Sequence, residues 1–345
     1  MNSKIIDGFN GMIHKINIEI KQTKNTALRF KISSYRKTIK IIKSLPFEIN
    51  DGNDLKDIKG IGKTTIEKIN EIIKTGTLKQ LENLNQNLLT ESKDIMNLQK
   101  ITGIGPVKAK SLFKQGITLS TFTNIDFNNV SDEEASILDS LTHHQILGIK
   151  YFNDLESRIP YKEIEKIETF LLKLLKKHLP YLEMTICGSF RRKAKTSGDI
   201  DVLLYHECGC INDSDIKKSS YLTDFLELLI ENDFLTDHLT SIDNKTKYMG
   251  FCKLLKLNRR IDIRLIPKKS LAPAMLYFTG SGDFNVNMRT YALTKGYTIN
   301  EYGIYKVKPN GKKGFRIKTE TEEDIFNVLK LDYVEPQNRL PSYIF

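Results

Sequence analysis

Two short apolar runs each carry acid in strict alternation: Gly198-Asp199-Ile200-Asp201-Val202-Leu203-Leu204 and Arg260-Ile261-Asp262-Ile263-Arg264. Successive side chains of a strand point to opposite faces, so Asp199 and Asp201 are predicted to share one face of a first strand. Ile261 and Ile263 should point away from Asp262 on a second. Like charges at neighbouring sheet positions repel unless a cation lies between them. A lone Asp-x-Asp is explained as well by a solvated strand or a turn, but a third acid on a second alternating strand shifts the balance. Three hard oxygen donors suit Mg²⁺, and two such ions roughly 3.5–4 Å apart stabilise the attacking and leaving oxygens of an in-line displacement. The Gly188-Ser189 turn and Arg192, just upstream, supply donors for a triphosphate, and the reaction class is nucleotidyl transfer.

The acids sit in the β-rich part of the chain. After an amphipathic stretch from Ile164 to Leu179, ended by Pro180, come short runs that read as strands: MTICGSF, DIDVLLYH, YMGFCKLLKL and RRIDIRLIP. Helical spacing returns near Phe284 to Lys295, short strands are expected across Tyr297 to Ile317, and a helix across Glu322 to Leu331. Before residue 150 the apolar spacing is helical throughout, from Ile5 to Ile20, Leu28 to Ile42 and Ile58 to Ile73 onward. The predicted fold class is multidomain, α followed by α+β.

The helical part holds a repeat. Ile58-Lys-Gly-Ile-Gly-Lys63 and Ile101-Thr-Gly-Ile-Gly-Pro106 lie 43 residues apart, each leading into a helix. Glycine permits the sharp turn, and Pro106 suits a first helical turn. Each unit reads as a helix-hairpin-helix whose amides at Gly60, Gly62, Gly103 and Gly105 cradle a phosphate without reading the bases. The first 90 residues contain 16 Lys or Arg against 9 Asp or Glu, within a chain of 345 residues and net charge +11. That excess fits a polyanionic partner. An acidic membrane surface is the competing partner, but no apolar run approaches the ~20 residues of a span, and the first residues lack a signal-peptide core. The expected protein is soluble and intracellular. Cys187, Cys208, Cys210 and Cys252 are too sparse for a disulfide framework and are expected to be free thiols. His206, Cys208 and Cys210 lack a fourth ligand at finger-like spacing, which argues against zinc.

With these motifs in order along nearly the whole chain, the sequence resembles the family X DNA polymerases in their minimal, polymerase beta-like form. The resemblance runs from SYRKTIKIIKSLP and KGIGKTTIEKINEIIKTGTLKQLE through TGIGPVKAKSLFKQGI, HHQILGIKYFNDLESRIP, CGSFRRKAKTSGDIDVLL, KYMGF and RRIDIRLIP to YFTGSGDFNVNMRTYALTKGYTINEYGI. It implies a helical lyase and DNA-binding domain over residues 1–88, a second helix-hairpin-helix subdomain over 89–152, a nucleotidyltransferase palm with a mixed sheet over 153–268, and a nucleotide-selecting α+β subdomain over 269–345.

The resemblance also implies roles. Asp199 and Asp201 would hold both magnesium ions and Asp262 the catalytic one. Ser189, Arg192 and Gly198 would hold the triphosphate, Tyr277, Phe278 and Gly280 would face the sugar, and Asn285 the incoming base. Arg260 falls near the primer end, and Arg289 and Tyr302 near the template. Lys68 matches a Schiff-base nucleophile, with Lys31, Tyr35 and Lys56 around a 5′-phosphate. Crowding by Lys31, Lys56 and Lys63 would favour the neutral amine that the chemistry needs. A monovalent cation, Na⁺ or K⁺, belongs at the hairpins.

The activity so implied is template-directed gap filling in base excision repair with 5′-deoxyribose-phosphate lyase activity. A monomer would act on gapped or nicked DNA and deoxynucleoside triphosphates, alongside a DNA ligase, in a nucleus or in a cytoplasmic or viral compartment. The alternatives are a catalytically idle gap- or end-binding protein and a template-independent nucleotidyltransferase. Ile146 stands where the family has an arginine, Gly282 where a side chain packs on the base, and Val286 where a lysine nears the template; looser nucleotide selection is the expectation. In the lyase pocket Phe30 replaces a histidine and Thr64 a lysine.

Overall fold

The computed structural model describes residues 2–345 except Pro46, Lys59, Asn83, Leu84, Asn85, Ser342 and Ile344. The chain divides into two compact units, Met1–Ile125 and Asp126–Phe345.

Among the described residues the first unit is helical. Its main elements are α1 (Ser3–Thr23), α2 (Arg29–Ser44), α3 (Lys63–Thr75), α4 (Gln86–Leu98) and α5 (Pro106–Lys114). Apolar residues three and four apart put Ile5, Phe9 and Met12 of α1 against Ile39 and Ile42 of α2 and Ile69 and Ile72 of α3, all buried. Gly8 and Gly11 allow this approach, because a Cβ at either would lie within 3 Å of Ile72 or Leu81.

The second unit is built on a five-stranded sheet: β1 (Leu182–Ile186), β2 (Ile200–His206), β3 (Leu235–His238), β4 (Lys247–Cys252) and β5 (Arg259–Ile266), ordered β1-β2-β5-β4-β3. β2 and β5 are parallel and the other neighbours antiparallel, so the sheet is mixed, as expected. One face is apolar: Val202, Leu204, Ile261, Ile263 and Leu265 pack with Ile164, Ile167 and Leu171 of α6 (Tyr161–His178) and Phe225, Leu226 and Leu229 of α8 (Tyr221–Glu231). Between them lies the one-turn α7 (Gly188–Arg191). The last third comprises α9 (Leu271–Thr279), α10 (Gly282–Thr294), a three-stranded antiparallel sheet of β6 (Tyr297–Asn300), β7 (Gly303–Val307) and β8 (Lys313–Ile317), and α11 (Glu322–Val328).

Three local expectations are corrected. The Gly188-Ser189-Phe190 end of the first strand run is helical, because Gly188 adopts φ +57° and turns the chain out of the sheet. Asp199 lies in a bend before β2, so strand alternation applies to Asp201 alone. Cys208 and Cys210, expected as free thiols, are joined in a disulfide, because the bend after β2 brings their Cα atoms to 5.3 Å; Cys187 and Cys252 are free and buried.

Candidate active site

The parallel pairing of β2 with β5 aligns Ile200 with Ile261, Asp201 with Asp262 and Val202 with Ile263. Residues directly paired in a sheet share a face, so the register that buries the isoleucines on one side sets two carboxylates abreast on the other. Asp199 reaches them from the bend. The Asp201 carboxyl is pushed up to about 7, chiefly by burial and then by the charges of Asp199 and Asp262, while Arg192 and Arg260 act against this. Asp262 is raised as well, burial again leading, with Arg260 opposing it. Arg260 holds Asp262 Oδ1 through Nε and Nη2, both at 2.8 Å. Asp201, Asp262, Tyr248, Met249, Arg264 and Phe278 line a cleft of about 90 Å³.

Among the described residues no three His, Cys, Asp or Glu side chains close on one point as a finished metal cage. The donor chemistry fits a hard divalent cation: the oxygens of Asp199, Asp201 and Asp262 lie near one another, and burial, with neighbouring acid charge added, holds the Asp201 and Asp262 carboxyls up, a cost that a bound cation relieves. Here the Arg260 guanidinium supplies part of that compensation.

Gly188 fixes the floor of the site. A Cβ there would stand 2.3 Å from Asp201 Oδ2, so the turn carrying Ser189 rests directly on the carboxylate. Arg192, at the end of α7, donates from Nη1 to the Thr279 carbonyl, and Arg191 donates to Thr279 Oγ1 at 2.6 Å. The Gly188-to-Arg192 turn is thereby tied to the Tyr277-Phe278-Thr279-Gly280 turn, where Gly280 has φ +69° and the Gly280–Ser281 peptide is cis. A shallow depression is lined by Tyr277, Asn285 and Arg289 with Leu276, Met288 and Ile299, and Asn285 Nδ2 donates to the Tyr277 carbonyl at 2.6 Å. Tyr302 is exposed and its carbonyl accepts from Ser270 Oγ and Arg316 Nε. Gly198 is exposed, beside Arg158. Gly282 has open space around it, Val286 is exposed and Ile146 half-buried.

Sequence reasoning passed over Arg264, whose guanidinium lies 5.8 Å from the Phe278 ring centroid in the carboxylate cleft. The alternation Arg260-x-Asp262-x-Arg264 was the available signal. It also passed over Glu322, which accepts from Arg191 (2.5 and 3.1 Å) and from the fully buried Arg339 (2.6 Å). Nothing in the spacing of these three residues announces that contact.

In the first unit the two hairpins are alike in detail. Ile61 N–H donates to the Ile58 carbonyl and Ile104 N–H to the Ile101 carbonyl, each at 3.0 Å. Gly60 and Gly103 have φ +102° and +88°, and Gly62 and Gly105 are the N-caps of α3 and α5 without a capping side chain. A Cβ at Gly62 or Gly105 would meet nothing, so both surfaces are open to an approaching backbone. Lys59, inside the first hairpin, lies outside the described residues.

Lys68 is half-buried on α3 and donates to Gln80 Oε1 at 3.3 Å; Lys15 donates to the Gln80 carbonyl, a neighbour that sequence reasoning missed. Lys31, Lys56 and Thr64 are exposed, as is Phe30. Tyr35 packs its ring 5.5 Å from that of Phe9, and burial raises its phenol.

Family models match in succession: a helix-hairpin-helix domain over residues 2–78, the DNA polymerase beta palm over 158–268 and the DNA polymerase beta thumb over 274–340. Fold and site thus define a polymerase beta-type nucleotidyltransferase scaffold preceded by a helix-hairpin-helix domain. The chain is 30% identical over 322 residues to DNA polymerase lambda of Arabidopsis thaliana, covering 89% of this chain and 57% of that one. It is 31% identical over 324 residues to DNA polymerase lambda of Rattus norvegicus (90% and 52%), and 24% identical over 363 residues to DNA nucleotidylexotransferase of Gallus gallus (98% and 67%). The chain belongs to the family X DNA polymerases. It spans a little over half the length of the two lambda polymerases. No helix among the described residues is long and apolar enough to cross a membrane.

Proposed function

We propose that this chain is a template-directed DNA polymerase that fills short gaps during base excision repair and removes the 5′-deoxyribose phosphate that blocks ligation. The observation that carries the reading is the in-register placement of Asp201 and Asp262 on parallel strands, with Asp199 beside them and the Gly188-Ser189 turn resting on Asp201. Asp199 and Asp201 would hold two magnesium ions, with Asp262 on one of them; when bound, these would offset charge on the attacking and leaving oxygens. Asp262 accepts the proton of the primer 3′-hydroxyl. The hydroxyl oxygen bonds to the α-phosphorus, the bond to the bridging oxygen breaks, and pyrophosphate departs. Ser189, Arg192 and Gly198 hold the triphosphate, Tyr277, Phe278 and Gly280 face the sugar, Asn285 the base, Arg289 and Tyr302 the template, and Arg260 the primer end.

For the lyase step, the Lys68 amine adds to C1′ of the open sugar and water leaves. Loss of a C2′ proton to water then breaks the C3′–O bond, leaving a 5′-phosphate on the DNA, and a second water cleaves the imine to free Lys68 and the unsaturated sugar phosphate. Lys31, Tyr35 and Lys56 form the phosphate pocket, and the two hairpins grip the duplex backbone with a monovalent cation. An idle binding protein has no use for three neighbouring carboxylates facing a phosphate backbone.

The test is a one-nucleotide gapped duplex with a 5′-deoxyribose phosphate, incubated with Mg²⁺ and all four deoxynucleotides, with borohydride trapping in parallel. Extension by the templated nucleotide, lost in Asp262→Ala, together with trapping lost in Lys68→Ala, supports both activities. Untemplated addition would replace the reading with a terminal transferase, and absence of both activities with a binding protein.

A further inference from the structure

The final hairpin carries charge that the proposed chemistry does not use. Between Tyr302 and Thr319 the chain holds Lys306, Lys308, Lys312, Lys313, Arg316 and Lys318 and no acidic residue. β7 and β8 are joined by a tight turn: Lys308 N–H donates to the Lys312 carbonyl and Gly311 N–H to the Lys308 carbonyl, each at 2.8 Å, while Lys312 N–H donates to Asn310 Oδ1 at 3.1 Å. The two lysines therefore flank the tip side by side. Pairing of Tyr305 with Arg316 and of Val307 with Lys313 puts these side chains on one face, and the Lys313 ammonium lies 3.5 Å from the Tyr305 ring centroid.

The register slips between Lys313 and Arg316, and in that bulge Phe315 is 66% exposed. Lysines alone would serve to protect an edge strand from pairing, but an exposed phenylalanine works against that end. Cations around an accessible ring suit a strand of nucleic acid, whose phosphates meet ammonium groups while an unpaired base stacks on the ring.

We infer that the β7–β8 hairpin binds the unpaired template strand of a gap, holding phosphates at Lys308 and Lys312 and a base on Phe315. The assignment to the template strand rests on the gap-filling reading; the preference for unpaired DNA does not.

The experiment titrates the full chain with duplexes bearing a gap of one nucleotide or of about ten, a length within the usual single-strand site size. Lys308→Gln combined with Lys312→Gln, and separately Phe315→Ser, should weaken binding to the long gap about tenfold and to the short gap less than about twofold. The lysine pair should also lower the salt slope by about one to two. A 2-aminopurine placed in the unpaired stretch should be quenched by the parent and by Phe315→Tyr, but not by Phe315→Ser. Equal losses on both gaps, or no loss, would overturn the proposal and leave a solvated edge. If the parent fails to extend either gap while the contrast in binding persists, the gap-filling reading falls and the hairpin remains a single-strand site.

Discussion

Gly188 lacks a side chain because Asp201 occupies the space where one would stand. Gly188→Ala brings Cβ to 2.3 Å from Asp201 Oδ2 at φ +57°, so the carboxylate must move. Displacement of about an ångström at a reacting group costs on the order of 100-fold in rate, and a loss of that size in single-turnover extension is expected, with about 1–3 kcal/mol of stability lost to backbone strain. Asp201 gives a second expectation at this scale. Its folded carboxyl titrates at about 7 against an ordinary 3.8. Between those values the native chain retains a proton that the unfolded chain has lost, so stability without metal falls as pH rises through that window. Asp201→Asn removes this dependence and raises stability above pH 7 by on the order of 1–3 kcal/mol, while abolishing synthesis. Urea melts with chelator at pH 5 and pH 8 check it; parallel curves for parent and variant would count against it.

At the scale of elements, the hairpins turn on glycines at positive φ that support open helix N-termini. Gly60→Ala and Gly103→Ala strain turns at φ +102° and +88°. Each should weaken gapped-duplex binding about three- to tenfold, measured by anisotropy, with the same factor on unrelated sequences because phosphate contacts carry no base information. A sequence-dependent loss would contradict that. The helices, strands and hairpins were legible because their signals are local: the spacing of Ile5, Phe9 and Met12, the alternation about Asp262, the paired Gly-x-Gly turns. Positions set by distant contacts were not. Asp199 leaves the strand to enter a bend, Gly188 ends one, the Cys208–Cys210 bond depends on the turn after β2, and Lys68 meets Gln80 and its neighbour Lys15 through the packing of α1 and α3. The three aspartates were readable because the chemistry restricts residue type as well as spacing, whereas Arg264 and Glu322 had only one of these marks.

At the scale of the whole molecule, two units with separate cores should melt in separate steps. Glu322 belongs to the second. Burial alone would raise its carboxyl, but hydrogen bonds and charge from Arg191 and Arg339 outweigh this and hold it below the ordinary range. Its contribution is therefore present above the unfolded value near 4.5 and lost as pH falls through the lower folded value. Glu322→Gln should lower the melting of the second unit alone by about 3–5 kcal/mol, because it strands two arginines, one fully buried. Calorimetry resolves the transitions, and an equal shift in both would show the charges to be a general rather than a local support. The alignment of Asp201 with Asp262 bears also on how the gene can change. The stretch from residue 207 to 258 joins two parallel strands by way of two further strands and helices, so a codon added in one of its exposed turns leaves the alignment untouched. One codon lost within residues 259–261, ahead of Asp262 in its strand, would turn the following side chains over, set an isoleucine beside an aspartate, and silence the site without removing a single acid. Coding drift in such a chain is thus channelled into its loops by the arithmetic of a two-residue repeat.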